Sequence, residues 1–282
     1  MLTRFDHLTI AARELEAAVA GYEKLFGHAP SWRGSHPELG THSALFALGN
    51  AWIELVAPLP GAAEAEGLQL WLNAHGEGLQ AIAFTTDDAA GCSAALRERG
   101  IRATPPQPGT AIGSDGSARH YRTVELSPRQ TRGVSVVIVE RDALSGDSSR
   151  SAETAVSADR CDALDHVVVR TANPDAAIAL YGQGLGIRLA LDRTLGTTRM
   201  LFFRVGSVTV EVVHDQSLQA GDQLQGAAYR ARDLDALHAR LQAAGFDTSE
   251  VRAGRKPGTR VMTVRDAPCG VPTLLLRDPA RD

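Results

Sequence analysis

The chain is a series of short apolar runs, two of which contain an Asp-His pair, interspersed with Ala-rich amphipathic stretches. The two Asp-His runs occupy residues 5–10 and 164–169. Each is followed by a stretch with apolar residues three and four positions apart that ends at a glycine, residues 14–27 and 174–186. This spacing is typical of an amphipathic helix with a glycine stop, so both halves are predicted to begin with a strand and a helix.

Further apolar runs predict the strands that follow each helix. Residues 44–48 and 52–56 flank a Gly-Asn turn, and residues 200–205 and 208–213 flank a Gly-Ser turn, which predicts one β-hairpin in each half. Two weaker copies of the same order complete the chain, with strands at 79–84, 121–126 and 134–139 around a helix at 87–100, and strands at 226–230, 261–265 and 272–276 around a helix at 233–245. The order β-α-β-β-β is therefore predicted four times.

A segment without apolar periodicity divides these four modules into two pairs. Residues 145–159 are rich in Ser, Ala, Asp and Glu and are predicted to form a flexible linker. A chain of 282 residues suits two domains of about 140 residues. We therefore expect an N-terminal domain at 1–142, a linker at 143–161 and a C-terminal domain at 162–282. A shorter loose segment, residues 58–67, is expected to join modules one and two.

Composition and charge exclude several classes of protein. Hydrophobic residues make up 44% and charged residues 22% of the chain, as in ordinary globular proteins. The net charge is −4 with acids and bases mixed, which gives no basic patch for nucleic acid or an anionic membrane. Residues 1–10 carry no signal-peptide pattern, and no apolar run approaches the roughly 20 residues of a membrane span. The three cysteines, Cys92, Cys161 and Cys269, form no CxxC motif, so we expect a reducing, cytoplasmic setting.

Four βαβββ modules, with a histidine on the first strand and a glutamate on the fourth strand of modules one and three, resemble the vicinal-oxygen-chelate superfamily. Its members include glyoxalase I, extradiol dioxygenases, methylmalonyl-CoA epimerase and bleomycin-resistance proteins. The segments His-Pro-Glu-Leu-Gly-Thr at 36–41 and Ala-Trp-Ile-Glu-Leu-Val at 51–56 resemble a glyoxalase-like subfamily in particular. The resemblance implies an α+β fold in which two glyoxalase-like domains curl mixed β-sheets into cups that take small-molecule ligands.

The resemblance also implies metal ligands on the first and fourth strands of a module. His7 and Glu54 occupy these positions in module one, and His166 and Glu211 occupy them in module three. In modules two and four the corresponding residues do not bind metals: Ala81, Ile138, Gly226 and Leu275. Because extradiol dioxygenases carry their iron ligands on modules three and four, that activity is not expected.

The pairing of modules decides how many of these four residues share a cup. Sequential pairing, one with two and three with four, is the simpler arrangement and leaves two ligands in each cup. Two protein ligands rarely make a tight transition-metal site. If modules one and three share a cup, the two histidines and two glutamates come together, as the ligands of glyoxalase I do.

Two main hypotheses for function follow. In the first, the protein is a glyoxalase- or isomerase-type lyase in which a divalent ion (Ni, Zn, Co, Mn or Fe) polarises a small oxygenated substrate. Glu54 or Glu211 then moves a proton beside the carbonyl. In the second, no metal binds, and the protein sequesters a small molecule in an apolar cup, as resistance proteins do. A His–Glu pair without metal still serves as a general base. A scaffold whose domains only mediate dimerisation is a third hypothesis.

Two further groups are candidate substrate contacts. His36 and His42 flank the Leu-Gly-Thr turn at 39–41, so they lie either at the mouth of the cup or on a solvated loop. Arg255, Lys256 and Arg260 belong to a compact basic loop that suits a carboxylate or phosphate, or that is simply a charged turn with Pro-Gly at its tip. The expected partner is a small molecule, and both a monomer and a homodimer are compatible with the pattern.

Overall fold

The computed structural model describes residues 1–141 and 157–278, which form two mixed eight-stranded β-sheets with short helices packed against them. The fold is α+β, and the order β-α-β-β-β occurs four times, which confirms the predicted fold class. Most of the predicted linker lies outside the described residues. No helix in the two described ranges is long and apolar enough to cross a membrane.

Modules one and two close into a barrel. Its strands are β1 (Arg4–Ala11), β2 (Trp32–His36), β3 (Thr41–Ala47), β4 (Trp52–Pro58), β5 (Gly78–Thr85), β6 (Gln107–Gly113), β7 (Ala118–Glu125) and β8 (Ser135–Arg141). The order around the barrel is β1-β4-β3-β2-β6-β7-β8-β5. Antiparallel pairing of β1 with β5 and of β2 with β6 joins the two modules along both edges, so the sheet encloses an interior lined by alternate residues.

Modules three and four form an open sheet. Its strands are β9 (Cys161–Thr171), β10 (Arg188–Leu195), β11 (Thr198–Val205), β12 (Val208–His214), β13 (Asp222–Ala231), β14 (Arg252–Ala253), β15 (Arg260–Val264) and β16 (Thr273–Arg277). The order is β10-β11-β12-β9-β13-β16-β15-β14, with β9 antiparallel to β13. Modules therefore pair sequentially in both halves, and the two His/Glu pairs lie in separate sheets.

The α-helices cover the sheets, and all of these helices except α2 share one hydrophobic core with the sheets. They are α1 (Leu15–Phe26), α2 (Glu66–His75), α3 (Ala89–Glu98), α4 (Pro174–Ala177), which continues as a π-helix over Ile178–Gly184, and α5 (Leu234–Ala243). The core runs through both halves, and the rings of Phe26 and Tyr229 meet across them with centroids 5.0 Å apart. The predicted loose segment is partly helical, because α2 begins within it and packs Leu68 and Leu72 against Ala11 and Val56 of the barrel.

A β-bulge in the first strand of each half changes which residues face inward. In β1, Phe5 pairs with Phe84 and His7 with Ala83, so Asp6 has no cross-strand partner. Phe5 therefore lies in the hydrophobic core, whereas His7, two positions later, lines the interior of the barrel. A second bulge falls at the matching position, Asp165 of β9. One extra residue reverses the alternation of the strand on either side of it, which is how bulges redirect side chains.

On the fourth strands of modules two and four, the positions predicted to correspond to the metal ligands differ by one residue from the positions that face inward. Ile138 and Leu275 are fully buried in the hydrophobic core, on the opposite face of their sheets. On β8 it is Val137 that faces the barrel interior. On β16 the flanking Leu276 lies on the other face, beside Ala228. These residues are also apolar, so the conclusion that modules two and four offer no metal ligand there is unchanged.

Candidate functional site

The N-terminal barrel encloses a cavity of about 740 Å³. One side of it is polar and carries His7, His36 and Glu54, whereas Trp32 and Trp52 belong to an apolar cluster on its wall. These residues come from β1, β2 and β4, where every second side chain points inward. A volume of this size and a mainly apolar lining with a few convergent polar groups are typical of a small-molecule site.

Glu54 is the centre of the polar side. Its Oε2 lies 3.4 Å from Nε2 of His7, and its Oε1 lies 3.5 Å from Nε2 of His36. Thr9, its cross-strand neighbour, donates a hydrogen bond to Oε2 at 3.3 Å. Burial raises the pKa of Glu54, but the contact with His36 and the charge of His7 lower it more, to about 2. Glu54 is therefore a carboxylate throughout the neutral range.

His36 is held from both of its nitrogens. Nδ1 lies 2.9 Å from the Tyr121 hydroxyl, and Nε2 lies 3.2 Å from the Ser43 hydroxyl. Burial, with a smaller effect of Glu54 and then Glu38, raises the pKa of Tyr121 to about 12, so its hydroxyl keeps its proton at neutral pH. A Tyr121 hydroxyl that donates to Nδ1 leaves the proton of neutral His36 on Nε2, directed toward Ser43 and Glu54.

His7 lies between two carboxylate groups. Its Nδ1 is buried and lies 3.4 Å from Oδ2 of Asp6, without a hydrogen-bond partner in the described part of the chain. Asp6 in turn accepts a hydrogen bond from Nη2 of Arg141 at 2.7 Å. Burial raises the pKa of Asp6, but Arg141 and His7 together hold it well below the usual range for a carboxyl group. The order Arg141–Asp6–His7–Glu54 therefore places a carboxylate on each side of one imidazole.

The C-terminal sheet repeats half of this arrangement. Nδ1 of His166 lies 2.9 Å from Oδ2 of Asp165, and Nε2 lies 3.6 Å from Oε2 of Glu211. Burial lowers the pKa of His166, but Asp165 and Glu211 outweigh it and the net shift is upward. Arg230 stands beside Asp165, with Nη1 3.6 Å away from Oδ1. In the described residues no second histidine is within ion-pair distance of Glu211.

The other predicted substrate contacts do not come to the barrel cavity. His42 lies on β3, where burial lowers its pKa, and it is not among the cavity residues. Lys256 pairs with Asp278 at 2.8 Å, and Arg260 pairs with Asp235 at 2.9 Å, at the β14–β15 edge of the open sheet. Arg255 is exposed in the same loop.

Sequence reasoning missed the contribution of β7. Arg119, Tyr121 and Thr123 line the cavity from this strand. The pattern at 119–123 does alternate, with an outward-facing arginine at 122, but it contains few apolar residues on either face. Because the sequence does not show that β7 lies near β2, with only β6 between them, this alternation alone did not indicate a site.

The cavity does not have the arrangement of a metal centre. Imidazole and carboxylate groups are the donors that divalent transition metals prefer. Here, however, they form two pairs that share Glu54. The described residues contain no group of three or more His, Cys, Asp or Glu side chains placed to hold a metal ion. The set of four ligands, His7, Glu54, His166 and Glu211, does not assemble in one cup either, because the pairs lie in separate sheets.

Solved structures of other proteins share this fold. A mutant of 4-hydroxymandelate synthase from Streptomyces coelicolor has a similar structure, with a TM-score of 0.72, 13% identity, and coverage of 98% of this chain and 92% of that chain. A hypothetical protein from Staphylococcus aureus has a TM-score of 0.67, 9% identity, and coverage of 97% of this chain and 99% of that chain. At such identities the likeness shows the fold alone.

The sequence comparisons identify the family of the chain. The uncharacterized protein slr0090 from Synechocystis sp. is 32% identical over 104 residues, which are 36% of this chain and 31% of that protein, so the match spans about a third of the relative's length. Residues 163–279 match the model of the Glyoxalase/Bleomycin resistance protein/Dioxygenase superfamily, and residues 5–148 match the model of the Glyoxalase-like domain. The chain belongs to the glyoxalase-like domain family, as a two-domain member of the vicinal-oxygen-chelate superfamily.

Proposed function

We propose that the N-terminal barrel is the active site of an isomerase- or lyase-type enzyme that moves a proton beside the carbonyl of a small oxygenated substrate. One observation carries this proposal. His7 and His36 approach the two oxygens of a single half-buried carboxylate, Glu54, inside a cavity of about 740 Å³. Titratable groups that converge in a cavity and perturb one another are typical of catalytic sites.

The proton acceptor in this proposal is His7 rather than Glu54. A pKa of about 2 makes Glu54 a weak base, whereas the most effective general bases have pKa values near the working pH. Asp6 stands at Nδ1 of His7 and leaves Nε2 toward the cavity and Glu54. When Nε2 takes the proton, both carboxylates stabilise the imidazolium. Glu54 therefore acts by its charge.

His36 supplies the second half of the reaction. A carbonyl that loses a neighbouring proton becomes an enolate, and a fixed hydrogen-bond donor stabilises the charge on its oxygen. His36 directs Nε2 to the same part of the cavity as His7, and Tyr121 holds the ring from Nδ1. If His36 keeps its proton, His7 returns a proton to the carbon that lost one, which gives exchange with solvent or inversion at that carbon. In an α-hydroxy ketone, His36 instead donates its Nε2 proton to the enolate oxygen and takes the proton of the neighbouring hydroxyl, while His7 protonates the former carbonyl carbon, which completes an isomerisation.

Deuterium exchange tests this proposal. A panel of α-hydroxy ketones, aryl ketones and 2-oxo acids is incubated in D₂O with the protein, and loss of the C–H signal beside the carbonyl is followed by NMR. We expect at least one compound to exchange ~100-fold more slowly with H7Q and E54Q than with the parent. H75Q is the matched control, because His75 is an exposed histidine on α2 outside the cavity. Exchange that survives both cavity substitutions contradicts the proposal, as does a panel without any catalysed exchange.

A metal-free binding protein is the second candidate. Its support is the apolar wall of the same cavity, together with Ala81 and Val137 at the inward positions of module two. In that case a ligand binds to the parent and to H7Q with equal affinity, and no member of the panel exchanges. Binding and exchange measured on the same variants therefore separate the two candidates.

A further inference from the structure

Arg119 is a cation of the barrel cavity without an acidic partner. It lines the cavity from β7, and in the described ranges its guanidinium makes no ion pair within 4.0 Å, unlike its neighbours Arg122 and Arg141. Burial and then repulsion by Arg141 lower the pKa of Arg119, and the attraction of Asp115 is the smallest influence on it. Arg119 is half-buried, and a cation that is partly removed from water and has no ion-pair partner favours the binding of an anion at this end of the cavity.

The guanidinium of Arg119 also lies against an aromatic ring. Its Cζ is 5.2 Å from the centroid of the Trp32 ring, within the range of a cation–π contact. The contact holds the guanidinium beside the ring, and its planar fork of N–H groups suits the two oxygens of a carboxylate. The contact with Trp32 therefore holds the guanidinium in place, and the guanidinium gives this part of the cavity a positive charge.

The cavity wall next to Arg119 is made of aromatic rings, and two of these rings lie against glycines, which have no side chain. Trp32 and Trp52 belong to one apolar cluster, with Tyr121 packed against it. A Cβ on Gly34 would lie 2.4 Å from Cζ2 of Trp32, and a Cβ on Gly109 would lie 2.4 Å from Cε2 of Tyr121. Both rings thus lie directly over glycines of the neighbouring backbone. Two tryptophans and a tyrosine form an apolar part of the cavity wall against which an aromatic ring can pack.

We propose that the substrate of this cavity is an aromatic carboxylate, with its carboxylate on Arg119 and its ring against Trp32 and Trp52. For the end of the substrate that reacts, this inference rests on the proposed function; for the ring and the carboxylate it does not. Tyr121 lies two residues from Arg119 on the same face of β7 and contacts His36. A substrate anchored at Arg119 therefore reaches toward His36 and Glu54 with the rest of its length.

Calorimetric titration of the full chain with three probes tests the proposal. Phenylacetate carries the ring and the charge, phenylacetamide carries the ring alone, and acetate carries the charge alone. None of them has a ketone, so their binding does not depend on proton transfer. We expect phenylacetate to bind at least ~10-fold more tightly than either of the other probes, because a hydrogen-bonded charge pair and the buried ring both contribute.

Variants of two arginines on the same strand make the comparison specific. R119Q is expected to weaken phenylacetate binding at least ~10-fold and to leave phenylacetamide binding unchanged. R122Q is the matched control, since Arg122 is 52% exposed and pairs with Glu140 outside the cavity, and it should change neither. If R119Q does not fold, R119K replaces it and should lose part of the preference for phenylacetate over phenylacetamide.

Each alternative outcome overturns part or all of the proposal. Equal affinity for phenylacetate and phenylacetamide would show that Arg119 does not bind the carboxylate. Full phenylacetate binding by R119Q would show the same. Equal affinity for acetate and phenylacetate would show that the ring does not contribute to binding, which rules out an aromatic substrate. Because E54Q should retain phenylacetate binding while losing exchange, failure of the proposed reaction and failure of this substrate class give different results.

Discussion

Asp6 and His7 are consecutive residues of one β-strand, yet their side chains meet, with 3.4 Å between Oδ2 of Asp6 and Nδ1 of His7. In a regular strand, successive side chains point to opposite faces. The bulge at Asp6 removes that separation, and the bulge at Asp165 does the same for His166, where the distance is 2.9 Å. The fold thus builds an aspartate–histidine pair in each half, and only the first stands in the barrel cavity.

The first prediction concerns this pair. D6N removes the charge beside Nδ1 of His7 and the partner of Arg141, so the imidazolium formed during proton transfer loses support. We expect the exchange rate at saturating substrate to fall ~10- to 100-fold with little change in the concentration for half saturation.

D165N is the matched control for that measurement. Asp165 pairs with His166 in the open sheet, away from the barrel, so this variant should exchange at the parental rate. A rate that falls equally in both variants would mean that the aspartates act through the stability of the whole chain. Melting temperatures of the two variants, measured in parallel, separate these effects.

The second prediction concerns pH. The chain has four tyrosines, and burial is the largest cause of a raised pKa in each: Tyr22, Tyr121, Tyr181 and Tyr229. The unfolded chain releases these protons near pH 10, whereas the folded chain holds them to about pH 12 or beyond. Above pH 10 the unfolded state therefore binds fewer protons, and stability falls as the pH rises.

Absorbance at 295 nm checks this expectation. The native protein should show no phenolate absorbance around pH 10, and all four tyrosines should ionise together when the chain unfolds at higher pH. The circular dichroism signal should be lost in the same step. A reversible titration of one or more tyrosines near pH 10 in folded protein would show that the corresponding ring is not buried as described.

The third prediction concerns Gly109, over which the Tyr121 ring lies. In G109A the new methyl group stands 2.4 Å from Cε2 of the ring and must displace it. We expect the Tyr121–His36 hydrogen bond to break, the free energy of unfolding to fall by about 1–3 kcal/mol, and exchange to slow. In G67A, where nothing lies within 4 Å of the added group, the free energy of unfolding should not fall. Equal stability of G109A and the parent would contradict the described position of the ring.

The fourth prediction concerns metal. Since the cavity donors form two pairs around Glu54 rather than a group of three around one point, proton exchange should not need a divalent ion. Protein dialysed against EDTA is expected to keep its exchange rate, and adding nickel, zinc, cobalt, manganese or iron should not increase it. Activity that disappears on dialysis and returns with one of these ions would show that the side chains rearrange around a metal.

Much of the fold followed from local pattern. The helix that ends at Gly27 and the hairpin strands on either side of the Gly-Asn turn lie where apolar periodicity predicts them, because period and turn residues depend on neighbouring positions only. The repeat of these patterns was enough to predict four βαβββ modules and the resemblance to the vicinal-oxygen-chelate superfamily. The repeat also singled out His7 and Glu54 as candidate residues, and the turn at 39–41 singled out His36.

Contacts between distant segments decided the rest. Whether modules close into a barrel depends on the pairing of β1 with β5 and of β2 with β6, and no period along the chain indicates that pairing. The inward faces of the strands depend on bulges, which arise from the register with a neighbouring strand. For the same reason Arg119 and Tyr121 were not recognised from sequence: they join the cavity only because the barrel brings β7 close to Trp32 and His36 of β2, with β6 between the two strands. The sequence by itself determined the modules and their candidate acids and bases, and the tertiary structure determined which of them meet.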